Sequence, residues 1–227
     1  MKEDNMEKDN KETNSLVAWL RKIREPKKTV SLTKKLLFSL LILLFGIAMG
    51  VGSKMLDTMA FNELPGFLQA IDIINLLGRL AIWIFIAVVI SVYSNSPLRA
   101  ALNTFLFFLG MVASYYVYSM LAAGFFPRSY AMIWFAITAV SPFLAFVCWY
   151  AKGKGWIAIV ISGLILGVLF AQAILLFQGI RIANYPEVVI WIAAAVVLWR
   201  KPKEFLIELA ICIATAVVYQ LFIPYWG

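Results

Sequence analysis

Asp72, Asn75 and Arg79 stand three and four residues apart in PGFLQAIDIINLLGRLAIW, residues 65–83. On a helix that spacing puts a carboxylate, an amide and a guanidinium on one face. Ile71, Ile74 and Leu77 frame them with apolar surface. A strip this polar does not face lipid; it either points into a bundle or lies flat at a membrane surface with its polar side in water. Arg128, in GFFPRSY, and Arg181 add two more guanidinium groups, whose planar forks match acidic oxygens two at a time. With Tyr115 and Gln172 as neutral hydrogen-bonding walls, Arg79, Arg128 and Arg181 outline a pocket for a small acidic molecule. The same segments carry Asp57, Glu63, Asp72 and Glu187, so a second reading pairs the arginines internally and leaves Arg128 as a headgroup anchor.

Other chemistries find no footing. The chain has no histidine, which removes zinc proteases built on HExxH and hydrolases built on Ser-His pairs. No Walker A sequence and no GxSxG elbow occur. Cys148 and Cys212 lie in separate apolar runs, where cysteine behaves as a small buried hydrophobe, and their spacing suggests neither a disulfide nor a metal site. The expectation is a protein that is not an enzyme, holds no metal and needs no cofactor. The net charge of +8 gathers beside apolar segments, where phospholipid and not nucleic acid is the natural partner.

The elements that must carry these residues are membrane helices. Of 227 residues, 63% are hydrophobic and only 14% charged, against roughly 25% charged in a soluble domain. Residues 1–14 are polar enough to read as a disordered tail. Residues 15–35 form a basic juxtamembrane segment in which Leu16, Trp19, Leu20 and Ile23 follow helical spacing, with Arg21, Lys22 and Arg24 toward the other side; this is the pattern of a helix lying in an anionic leaflet. Residues 36–227 form one all-α transmembrane domain, a bundle of about seven spans: Leu36–Gly52, Leu77–Tyr93, Leu98–Ala123, Tyr130–Tyr150, Trp156–Gln178, Pro186–Trp199 and Glu204–Ile223. The sixth is short enough that six crossings is the alternative. Pro97, Pro127, Pro186 and Pro202 stand close to helix starts.

Loop charge orients the bundle. Arg99, Lys152, Lys154, Arg200, Lys201 and Lys203 fall on one side, which the positive-inside rule makes cytoplasmic, together with the N-terminus. An odd number of crossings then puts the C-terminus outside the plasma membrane. Trp149, Tyr150, Trp156 and Trp199 are expected to ring the inner interface, Tyr130, Tyr185, Tyr225 and Trp226 the outer one. Glu208 should snorkel beside Arg200 and Lys201 at the inner interface.

Small residues at fourfold spacing, Gly46 with Gly50 and Gly163 with Gly167, predict close helix packing within the bundle. Pro142, inside TAVSPFLAF, removes a backbone donor and frees the Thr138 carbonyl; the hydroxyl of Thr138 or Ser141 can re-satisfy it, and the site suggests a kink or hinge. Together these features describe a small-molecule transport or binding component with an outward polar pocket and no ATPase of its own, embedded in the lipid bilayer and served by a membrane or ATPase partner subunit. The alternative is a non-transporting partner such as an immunity, sensor or assembly protein.

Overall fold

The structure is a computed structural model, and it describes residues 15, 17–27, 31–124, 126, 128–177 and 179–223. The expected tail, residues 1–14, lies outside the described residues, as do Leu16, Pro127, Gln178, Tyr225 and Trp226.

A short helix α1 (residues 17–23) precedes α2 (Leu32–Asp57). Two brief helices, α3 (Gly66–Ala70) and α4 (Ile73–Gly78), lead into α5 (Leu80–Tyr93). Then come α6 (Pro97–Ala123), α7 (Arg128–Trp149), α8 (Trp156–Ala173), a hairpin of β1 (Ile174–Leu175) and β2 (Arg181–Ile182), α9 (Tyr185–Leu198) and α10 (Pro202–Phe222). The all-α reading holds: among the described residues five helices are long and apolar enough to cross a membrane, and α5 and α9 are shorter apolar helices. Large apolar side chains such as Leu37, Phe38, Leu41, Phe143 and Leu144 cover the outer faces of α2 and α7. Their partner is lipid.

Boundaries follow local chemistry. Ser96 caps α6, its Oγ accepting the Arg99 N–H at 3.3 Å, and Pro97 takes the first helical position, where its missing N–H costs nothing. The run predicted to extend to Gln178 stops at Ala173 instead. Gln220 of α10 explains the stop: its Nε2 donates to the carbonyls of Ala171 (2.8 Å) and Ile174 (2.6 Å), and its Oε1 accepts the Leu176 N–H (2.9 Å). The side chain satisfies the groups that a helix end leaves open, and the chain turns into the antiparallel hairpin, Ile174 opposite Ile182.

The glycine rows work inside the chain. A Cβ on Gly46 would collide with the carbonyl oxygen of Phe107, and one on Gly50 with that of Met111. Gly110 brings α6 equally close to Leu43 of α2, while Gly163 and Gly167 let α8 meet Ile211, Cys212 and Thr215 of α10. Residue numbers rise together along both pairs, so α2 runs parallel to α6 and α8 parallel to α10. Each pair encloses a short helix of 14 residues that returns in the opposite direction. Tyr93 reaches Pro97, and Leu198 reaches Pro202, through the same three-residue link. The chain is therefore built as two three-helix units, α2–α5–α6 and α8–α9–α10, in the same orientation, with α7 joining them. The short helices meet in the central core, where Ala81, Val88 and Val92 pack with Ile190, Ala194 and Leu198.

The basic end differs from the sequence reading in three places. Arg24 does not turn to the leaflet; it donates to the Trp149 carbonyl and, at 2.8 Å, to the Val92 carbonyl, with its guanidinium carbon 4.2 Å from the Trp149 ring centroid. Ile23 is buried beside it with Leu20 partly covered, so the end of α1 packs on protein while Val17 and Trp19 stay exposed. Trp149 and Tyr150 are buried rather than interfacial, Trp149 donating to the Ser94 carbonyl at 2.8 Å, while Trp156 and Trp199 remain exposed as expected. Glu208 is wholly buried, 3.9 Å from Arg200, which also approaches Glu204 at 3.8 Å and donates to the Ala151 and Gly153 carbonyls. Glu208 cannot snorkel because α8 packs over it through Gly163.

Candidate functional site

At the end opposite these basic groups, α2, α4, α5, α6 and α7 enclose a cavity of about 300 Å3. The last turn of α2 brings Ser53, Lys54 and Asp57; α4 brings Ile74, Leu77 and Gly78; α5 brings Trp83; α6 brings Met111, Val112, Tyr115, Tyr116 and Ser119; α7 brings Tyr130 and Trp134. Helical periodicity accounts for the set, since Ser53 with Asp57, Tyr115 with Ser119 and Tyr130 with Trp134 each lie one turn apart.

One wall is charged and balanced. Lys54 Nζ lies 2.6 Å from Asp57 Oδ2, which also accepts the Tyr115 hydroxyl at 3.1 Å, and the same ammonium stands 5.3 Å from the Tyr115 ring centroid. Another part of the lining is aromatic: Trp83 and Trp134 meet edge to face with centroids 6.3 Å apart, and Tyr130 stands 6.2 Å from Trp134. Trp83 Nε1 already donates to the Leu77 carbonyl at 2.9 Å, so it offers only its ring. Two hydroxyls lack a partner. Ser53 Oγ and Tyr116 Oη belong to residues only 7% and 3% exposed, and neither makes a hydrogen bond.

The residues singled out from sequence fall in several places. Tyr115 lines the cavity. Asp72, Asn75 and Arg79 do come together, though not on one continuous helix: Asp72 adopts a left-handed conformation (φ 50°) ahead of α4, and the chain is extended at Arg79 before α5 begins. Asn75 donates to both Asp72 oxygens (2.9 and 3.0 Å), and Arg79 lies 3.9 Å from Asp72. The dominant partner of Arg79 is Glu187 at the start of α9, which its Nε contacts directly. Glu187 is 1% exposed, so this ion pair ties the two three-helix units together beside the cavity. Arg128 is exposed at the first position of α7, and Arg181 is exposed on β2; neither lines the cavity. Gln172 donates at 3.3 Å to the Val168 carbonyl one turn back. Pro142 sits in an unbroken α7, where the Ser141 hydroxyl donates to the freed Thr138 carbonyl at 2.9 Å, as anticipated.

Ser53, Lys54, Asp57, Tyr116, Trp83 and Trp134 were missed by the sequence reading. One signal was available: Lys54, Asp57 and Ser53 crowd the last turn of a span that is otherwise almost purely apolar.

Fold and site together define a polytopic α-helical membrane protein of two like-oriented three-helix units, with a hydroxyl-bearing aromatic cavity at one end. The chain belongs to a family of unknown function, DUF6518, whose model matches residues 29–226. No curated protein and no solved structure matches it.

Proposed function

We propose that this protein receives a small molecule in the aromatic cavity and moves it across the membrane, without an ATPase of its own. The cavity itself, about 300 Å3 among five helices and walled by Trp83, Tyr115, Tyr116, Tyr130 and Trp134, carries this reading. A volume of about 300 Å3 lies at the lower end of ligand pockets.

The two like-oriented units support movement as well as binding, because transporters built from repeats rock one unit against the other around a central site. The Arg79–Glu187 pair is placed to hold that contact closed at the cavity end. By loop charge the basic end faces the cytoplasm and the cavity opens outward from the plasma membrane. Energy would come from the ligand gradient or a partner subunit.

Thermal unfolding of the purified protein in nanodiscs, against a broad small-molecule set, tests the reading. A true ligand at 100 times its Kd stabilises the fold by about 2.7 kcal/mol, and Ser53→Trp, which fills the cavity, should abolish that gain. Silence across the set, or equal stabilisation of the filled variant, overturns the proposal.

A further inference from the structure

Three links join helices at the basic end: α5 to α6, α7 to α8 and α9 to α10. The stretch running from the end of α1 to Lys27 ties the first two together. The Lys27 N–H donates to the Asn95 carbonyl at 2.9 Å in the first link, and the Lys154 N–H in the second donates to the Ile23 carbonyl at 2.7 Å. Ile23 packs so tightly there that a Cβ on Gly153 would stand 2.6 Å from its carbonyl oxygen. Arg24 completes the tie. Val92 and Trp149 lie in the last turns of α5 and α7, where a helix leaves carbonyls open and carries partial negative charge, and one guanidinium serves both ends. The third link is held to the second from the other side, by Arg200 on the carbonyls of Ala151 and Gly153.

We propose that residues 20–27 are a strap that covers the basic end of the bundle where α5 and α7 terminate, ties the two three-helix units together there and lifts as a unit. The strap's action does not depend on what the cavity binds. It runs from the α5–α6 link of one unit to the link that enters α8 of the other, and so complements the Arg79–Glu187 pair, which joins the units at the opposite end.

The attachment is small enough to come undone. Val17, Ala18, Trp19, Arg21 and Lys22 are exposed, so the segment holds the bundle through Leu20, Ile23, Arg24 and the two backbone bonds. A stretch with so few buried contacts opens locally, at lower free energy than the spans. Its bonds go to links and helix ends, so it can leave without unwinding a span.

Cys148 reports on the covered corner. It precedes Trp149, is 9% exposed and stands near enough to Arg24 to feel its charge; the other cysteine, Cys212, is buried where α8 meets α10. Buried thiols are inert until exposed. The full chain in nanodiscs is treated with a water-soluble maleimide, and labelling at both cysteines is read by mass spectrometry alongside amide exchange in the peptide holding Lys154. Arg24→Ala should raise Lys154 exchange and Cys148 labelling together, each at least about tenfold, since a hydrogen bond from a charged donor is worth that factor or more, and should leave Cys212 labelling unchanged. Arg24→Lys, which keeps the charge without the fork, and Ile23→Ala should move both readouts the same way by less, and they decide the matter if Arg24→Ala does not fold. Raised Lys154 exchange with Cys148 still shut overturns the covering role. Unchanged Lys154 exchange overturns the lifting of the strap as a unit, and a matching rise at Cys212, the mark of general loosening, overturns the proposal as well.

Discussion

Removing Arg79 should be among the most damaging single changes in this protein, and the remedy should lie 108 residues away rather than seven. Arg79→Ala strands the Glu187 carboxylate, which is 1% exposed and has one oxygen without any hydrogen-bond partner even in the native state. Breaking a buried pair in this way costs about 3–5 kcal/mol. Arg79 itself is 27% exposed, so water reaches the site and the lower figure applies, about 3 kcal/mol. Adding Glu187→Gln removes the stranded charge and should recover most of it. Asp72→Asn should recover little, because Asp72 stands 3.9 Å from Arg79, is 40% exposed and keeps Asn75 as a partner. A double-mutant cycle on chemical unfolding in detergent, with Arg79→Ala, Glu187→Gln and both together, measures the coupling. Coupling below about 1 kcal/mol, or rescue by Asp72→Asn as complete as by Glu187→Gln, would refute the assignment of Glu187 as the principal partner.

Three further outcomes follow from the packing. Gly50→Ala should cost about 1–3 kcal/mol, since its Cβ meets the Met111 backbone, whereas Gly52→Ala, with open space around it, should stabilise α2 by about 0.5–1 kcal/mol; thermal unfolding of the two variants side by side reads the contrast. Ser141→Ala should cost about 1 kcal/mol in the native chain and less in a Pro142→Ala background, where residue 142 regains the N–H that can serve the Thr138 carbonyl; unfolding of the four variants closes that cycle. Arg24→Ala should free α1 from the bundle, because it removes two bonds to carbonyls and the contact with the Trp149 ring, and faster cleavage near residues 17–27 in limited proteolysis, with the spans intact, checks it.

What could be read from the sequence was local. The Ser141 to Thr138 bond, the Ser96 cap with Pro97, and the need for close neighbours at Gly46, Gly50, Gly163 and Gly167 each depend on residues within one or two turns, so spacing alone reveals them. Arg79 was recognised as paired, yet its main partner was not, because Asp72 was the acid on its own segment and Glu187 becomes adjacent only when the two short helices pack. The hairpin was hidden for a similar reason: Ile174 and Leu175 continue an apolar run, and the side chain that ends α8 comes from Gln220. The cavity was the least legible feature, since its lining is divided among four helices and the α4 segment, each contributing only a few residues. The repeat left almost no trace in residue identity beyond Pro97 and Pro202, because packing repeats backbone approach and helix length without repeating side chains.

The parity of the units constrains how the chain is made. In the topology proposed above, where α5 and α9 also cross, a unit with three crossings begins and ends on opposite faces of the bilayer, so a second copy following directly would emerge upside down, with Arg200, Lys201 and Lys203 on the face from which positive charge is excluded during insertion. α7 supplies the one extra crossing that restores the sense of α8. It has no counterpart in either unit, and its first obligation is to span. Deleting it would set the basic residues of the second half against the direction in which the chain is threaded, a frustration of assembly rather than of folding, and one that no contact within the finished bundle could repair.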